Sequence, residues 1–202
     1  VIAAGLTALG DSFVEGRGDP AAAGGYRGWV SRLGGQLGLR PTTIRNFGTH
    51  GATTGDVVAS QLAPATSSAR AGLYGVVVGV NDLVSAYDEA RFADNLHTIF
   101  ATLRAREATV FTASYPDIPA RLPVPDGFRA LLRERFATAN DVLARVTDDT
   151  GALLLDIAAR PEWARPEVWT ADGLHPSPVG HRLFAAAAAE LIASATATTV
   201  AA

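Results

Sequence analysis

Five short apolar runs, each separated from the next by a longer stretch of helical periodicity, leave this chain few possible architectures. The runs are Leu6–Gly10, Thr43–Phe47, Leu73–Val80, Thr109–Ser114 and Ala152–Ile157. Between them apolar residues recur three or four apart, as in Trp29, Val30, Leu33 and Leu37 after Tyr26, or Phe92, Leu96, Ile99 and Leu103. Thr53-x-x-Asp56 has the form of a capping box ahead of Val57, Val58 and Leu62. Leu132 to Val146 reads as a long helix and Leu183 to Ile192 as the closing one. Strands that alternate with helices are joined by right-handed crossovers into a parallel sheet covered on both faces. The expected fold class is therefore α/β, a three-layer α/β/α sandwich around a five-stranded parallel sheet. The flavodoxin-like order 2-1-3-4-5 is common for five such strands. No repeat or linker divides the 202 residues, so 1–202 reads as one domain, with 193–202 expected as a frayed tail. Two stretches lack periodicity: Gly16–Gly25 after the first strand, and Tyr115–Gly127, rich in proline, after the fourth.

Composition narrows the chemistry. There is no Cys, and all 17 basic residues are Arg, which excludes thiolate chemistry, Schiff bases and the lysine of a phosphate-binding loop. Four His without i, i+4 spacing make a metal site improbable, so no metal and no cofactor are expected. A net charge of −3 lacks the basic footprint of a nucleic-acid binder, and no apolar run reaches the length of a membrane span. The apolar opening Val1–Leu9 resembles a signal-peptide core, but it has no basic flank and runs directly into the candidate site, so it is expected to stay with the domain. A leader upstream of Val1 is left open. The lack of Cys fits a reducing compartment, and a cytoplasmic location is the expectation.

Open α/β sheets bind ligands beyond the carboxyl ends of their strands. There the sequence sets Asp11-Ser12, Gly48-Thr49-His50-Gly51, Gly79-Val80-Asn81-Asp82, Ser114-Tyr115 and, later, Asp172-Gly173-Leu174-His175. A serine hydroxyl needs a base to take its proton. His175 is the candidate base for Ser12, and Asp172, three residues earlier, can reach back to the other ring nitrogen. The Ser12 and Gly48 backbone N–H groups and the Asn81 amide are candidate donors to an oxyanion.

These blocks resemble those of the SGNH hydrolases, also called GDSL esterases and lipases. Gly10-Asp11-Ser12-Phe13 is similar to the nucleophile block, with Phe where Leu is frequent. Asn46-Phe47-Gly48-Thr49-His50-Gly51 resembles the glycine block, with His50 where Ser is frequent. Gly79-Val80-Asn81-Asp82 resembles the asparagine block, and Asp172-Gly173-Leu174-His175-Pro176 the Asp-x-x-His block. The resemblance implies a catalytic triad of Ser12, His175 and Asp172 and an oxyanion hole of Ser12, Gly48 and Asn81. It implies hydrolysis of a small-molecule carboxylic ester through an acyl-enzyme. Small or medium acyl groups are favoured because no long amphipathic lid is evident. The alternatives are acyl transfer to a sugar or natural-product hydroxyl, a lipase or lysophospholipase substrate, and a non-catalytic binding module. The substrate walls are expected from Gly16–Gly25, His50–Thr54, Asn81–Asp88 and Tyr115–Gly127.

Other residues have plainer readings. Asp11 and Asp82 are expected to bond nearby backbone, His97 to lie on a helix surface and His181 to pack at the start of the last helix. His50 fits either the pocket or a local bond. Arg17-Gly18-Asp19 reads as a loop, and Arg121, Arg129, Arg133 and Arg135 as a solvated face.

Overall fold

Strands buried on both faces need long apolar runs, and two adjacent interior ones, β1 (Leu6–Gly10) and β3 (Leu73–Val77), are buried at every residue. The computed structural model describes residues 5–67 and 71–201; Val1–Ala4 of the apolar opening lie outside them. With β2 (Ile44–Asn46), β4 (Thr109–Ala113) and β5 (Leu153–Leu155) they form one sheet in the order β2-β1-β3-β4-β5. Every pairing is parallel, with Leu6 opposite both Ile44 and Leu73, Leu73 opposite Thr109 and Phe111 opposite Leu153.

The strands stop sooner than their apolar runs. Gly79 takes φ +130°, which turns the chain out of β3 so that Val80 opens helix α5 (Val80–Val84) instead of ending the strand. Thr43 closes a 3₁₀ turn, and Ala152, Asp156 and Ile157 flank β5. Eight α-helical segments are found among the described residues. α1 (Ser12–Glu15) follows β1 directly. α2 (Gly28–Gln36) packs against α8 (Pro178–Ala201) on one face of the sheet. On the other face α3 (Thr54–Asp56) passes through a π-helical turn (Val57–Gln61) into α4 (Leu62–Thr66), and beside it lie α6 (Glu89–Arg104) and α7 (Asp126–Thr150).

Two expectations change here. Tyr26 is bridged to Pro20, so α2 begins only at Gly28. The region from 193, expected to fray, continues α8 to Ala201, since an alanine-rich stretch with no Gly or Pro contains no stop signal. Ala202 lies outside the described residues.

The core anchors the start of α1. Phe13, next to Ser12, meets Phe184 edge-on at 4.9 Å between ring centroids, and Trp29 lies 4.9 Å from the same ring. Edge-to-face pairs add about 0.5–1.5 kcal/mol to the burial itself. The residue after the candidate nucleophile is thereby tied to helices from both ends of the chain.

Candidate active site

The turn that carries Ser12 is held from behind. At Gly10, φ is +147° and an added Cβ would collide with the Val77 carbonyl, so only glycine allows β1 to run this close to β3 before turning. Gln61, at the end of the π-helical turn, is buried and bonds Gly10 twice: its amide donates to the Gly10 carbonyl (2.9 Å) and its oxygen accepts the Gly10 N–H (2.8 Å). One side chain thus does for Gly10 what a neighbouring strand would do. Asp11 then caps α1, its carboxylate accepting the Phe13 N–H at 2.9 Å, in keeping with its expected structural role.

Ser12 stands at the first turn of α1, 9% exposed. The fold brings His175 to it across 163 residues, with Nε2 3.0 Å from Oγ. The other ring nitrogen, Nδ1, is 2.7 Å from Asp172 Oδ2. Asp172 is itself fixed by three donors to Oδ1: the Thr170 hydroxyl (2.7 Å), the Leu174 N–H (2.8 Å) and the His175 N–H (3.0 Å). Partial burial works against its charge, but the bonds from the His175 ring and backbone, Thr170 and Leu174 win, and its carboxyl stays well below the usual range. An anion held in this way keeps a proton on Nδ1 and leaves the Nε2 lone pair facing Ser12.

The expected oxyanion donors do not all come together. Asn81 gives one amide hydrogen to the Ala52 carbonyl (2.8 Å) and keeps the other. Gly48 is a correction: its N–H donates to Asn46 Oδ1 at 2.8 Å. A Cβ at Gly48 would stand 2.2 Å from the Glu15 nitrogen, so this glycine serves the close approach of its loop to α1. Gly51, which the sequence reading passed over, is better placed. Its N–H has no partner among the described residues. It lies between Ala52, which Asn81 holds, and His50, whose ring centroid is 6.2 Å from that of His175. The signal was present, since the block holds two glycines and the second follows His50 directly. Asp82 fixes this loop from below, accepting the Thr54 N–H (2.9 Å) and hydroxyl (2.7 Å).

Beyond Ser12 lies a cleft whose walls include Val80, Asn81, Tyr115, Ile118, Trp163, Trp169 and Leu174. Of the four expected wall segments, His50–Thr54 contributes nothing to the lining, and neither does Gly16–Gly25. Its Asp19 is 3% exposed and bonded to Arg32 through both oxygens, at 2.7 and 2.9 Å, which also withdraws Arg17-Gly18-Asp19 from recognition. The two tryptophans were missed because Trp163 sits in a 3₁₀ turn and Trp169 in an isolated bridge just past another, and neither carries periodicity. The arginines read as a solvated face instead bind the 115–127 loop and its surroundings. Arg129 donates to the Pro119, Leu122 and Val124 carbonyls, Arg135 to Leu83 and Ser85, and Arg121 to Trp163 and Ala164, while Arg133 pairs with Asp117. A proline-rich loop leaves its carbonyls without backbone partners, and guanidinium forks fill that need. His97 is exposed, as expected.

Two buried titratable groups flank this centre with opposite signs. His181 is fully buried, Nδ1 accepting the Trp29 N–H (3.0 Å) and Nε2 donating to the Arg17 carbonyl (2.8 Å). Burial pulls its pKa from 6.5 down to about 4. Burial, with Asp82 nearby, pushes Asp11 from 3.8 up to about 7. As pH falls from 6.5 to 4 the unfolded chain takes a proton at position 181 that the folded chain refuses, so stability is lost. Over nearly the same range the folded chain takes a proton at Asp11 that the unfolded chain refuses, so stability is gained. Wild-type stability is therefore expected to change little in this window. Urea unfolding of Asp11→Asn should lose up to about 3 kcal/mol between pH 6.5 and 4. His181→Gln should become more stable on acidification, and equal slopes in the two variants would refute the pairing.

The profile of the GDSL-like lipase/acylhydrolase family matches residues 8–183. Among solved structures, the lipase/acylhydrolase from Enterococcus faecalis is similar over 93% of this chain and 94% of its own, at 22% identity and a TM-score of 0.70. A psychrotrophic esterase from Pseudoalteromonas sp. is similar over 95% and 97%, at 15% identity and TM-score 0.70. Phospholipase A1 from Streptomyces albidoflavus NA297 is similar over 95% and 99%, at 20% identity and TM-score 0.67. At such identities the likeness speaks for the fold. A search of curated proteins finds no match. Among the described residues no helix is long and apolar enough to cross a membrane.

Proposed function

Because the chain belongs to the GDSL-like lipase/acylhydrolase family, we propose that it hydrolyses carboxylic esters of small or medium acyl groups through an acyl-enzyme on Ser12. The observation that carries this reading is the 3.0 Å approach of His175 Nε2 to Ser12 Oγ, with Asp172 2.7 Å behind the ring. Ser12 Oγ attacks the ester carbonyl carbon as its proton passes to His175 Nε2. The imidazolium gains from the Asp172 carboxylate, and the oxyanion from the Ser12 N–H, the free Asn81 amide hydrogen and the Gly51 N–H. Each such donor is worth about 3–4 kcal/mol to the transition state. Collapse breaks the bond to the alcohol oxygen, which takes the proton from His175. Water then gives its proton to the same nitrogen and attacks the acyl carbon; the bond from that carbon to Ser12 Oγ breaks, His175 returns the proton to Oγ, and the acid leaves.

A fluorophosphonate reports on this directly, because it is attacked only by an activated hydroxyl. One equivalent should be incorporated at Ser12, and ester hydrolysis should fall in step with labelling. An unlabelled Ser12, or labelling that leaves hydrolysis untouched, would refute the proposal.

A further inference from the structure

Resting on that reading of Ser12, we infer that the cleft accepts straight, apolar acyl chains of short to medium length, and that Trp163 is the wall that ends it. The cleft is walled by Val80, Ile118, Ile157, Trp163, Trp169 and Leu174. Apart from the reacting groups Ser12, His175 and Asn81, the polar side chains along it already have partners. The Ser114 hydroxyl donates to Asp156 (2.7 Å) and accepts the Ala158 N–H (2.9 Å), the Tyr115 hydroxyl donates to the Val78 carbonyl (2.5 Å), and Asp11 accepts from Phe13. A polar acyl group would lose its water here and receive little in exchange, whereas a methylene chain gains from every contact.

The order of events assigns the two ends of the ester. The acyl group stays on the enzyme through both steps and so needs a fixed site. The alcohol departs after the first step and water must enter in its place, which suits the solvent side of His175, where the exposed His50 lies 6.2 Å away between ring centroids.

Trp163 and Pro116 line this cleft and also a second depression on the outer surface, formed with Ala120, Arg121, Ala158 and Pro161. They are the partition between the two. Trp163 is only 3% exposed and is braced from several sides. It meets Trp169 edge-on at 5.6 Å and Phe13 at 6.5 Å, and its carbonyl accepts bonds from the Trp169 indole (2.9 Å) and Arg121 (3.2 Å). A chain that reaches Trp163 cannot push it aside, and removing the indole joins the cleft to the outer depression.

The test is the ratio of kcat/KM between nitrophenyl esters on one enzyme preparation, which does not depend on the fraction of protein folded. Wild type should prefer butyrate or octanoate and cleave palmitate at least about tenfold less well, because a single methylene gained or lost in an apolar pocket shifts kcat/KM about ten- to two-hundredfold. Trp163→Ala should raise the palmitate-to-butyrate ratio by about tenfold or more. Ile118→Trp, which fills the cleft from another lining position, should lower the octanoate-to-acetate ratio by a similar factor. If Trp163→Ala does not fold, the wild-type series and Ile118→Trp decide. Palmitate cleaved as well as octanoate by wild type, or unmoved ratios in the folded variants, would overturn the assignment. With Ser12 still labelled by fluorophosphonate, such a result defeats the wall alone. An unlabelled enzyme inert to all four esters defeats the reading of Ser12 and the wall with it.

Discussion

Ser12→Ala should lower kcat for any cleaved ester by about 10⁶-fold, the scale on which a triad nucleophile fails when removed alone. The loss is this large because His175 and Asp172 act only through the hydroxyl: with no Oγ at 3.0 Å, the base has no proton to accept and no acyl-enzyme forms. The oxyanion donors remain and leave a residual rate above the uncatalysed reaction. Stability should hardly change, since Ser12 faces the cleft at the first turn of α1, where alanine is tolerated, and among the described residues Oγ bonds only to His175. Steady-state kinetics together with a thermal melt check both halves. Activity retained to within about a hundredfold of wild type would exclude Ser12 as the nucleophile.

Much of this centre was legible in the sequence because it depends on strand ends. A parallel sheet places the residues after β1 and β3 on one edge whatever the helices do, so Ser12 and Asn81 could be located from the runs Leu6–Gly10 and Leu73–Val80 alone. Asp172 and His175 follow no strand immediately, so residue type, the three-residue spacing and the resemblance suggested their link to Ser12, and the distance comes only from the fold. Choosing between Gly48 and Gly51 required knowing which N–H was free. Asn46, two residues before Gly48, takes that N–H, and a side-chain bond of this kind leaves no periodic trace. The arginines of the 121–135 region misled for a related reason. Charged residues on a helix usually face water, but here unpaired loop carbonyls compete for them. Trp163 and Trp169 were silent because irregular segments carry no period from which burial can be read.

Asp172→Asn separates orientation from mere polarity at the same position. Oδ1 of Asp172 accepts three bonds, from Thr170, Leu174 and His175, so an asparagine must keep its oxygen there, because its NH₂ would face three donors if flipped. The amide nitrogen then points at His175 Nδ1, 2.7 Å away in the parent, and donates to it. That bond forces the imidazole proton onto Nε2, where it faces Ser12 Oγ and blocks acceptance of the serine proton. The side-chain positions stay nearly the same, but the base has the wrong tautomer. Turnover should fall about 10⁴-fold at neutral pH, and fluorophosphonate labelling of Ser12 should slow in parallel, while the melting temperature shifts only slightly. An asparagine variant within about tenfold of wild type would mean that Asp172 only caps its own turn and that His175 is oriented by something else.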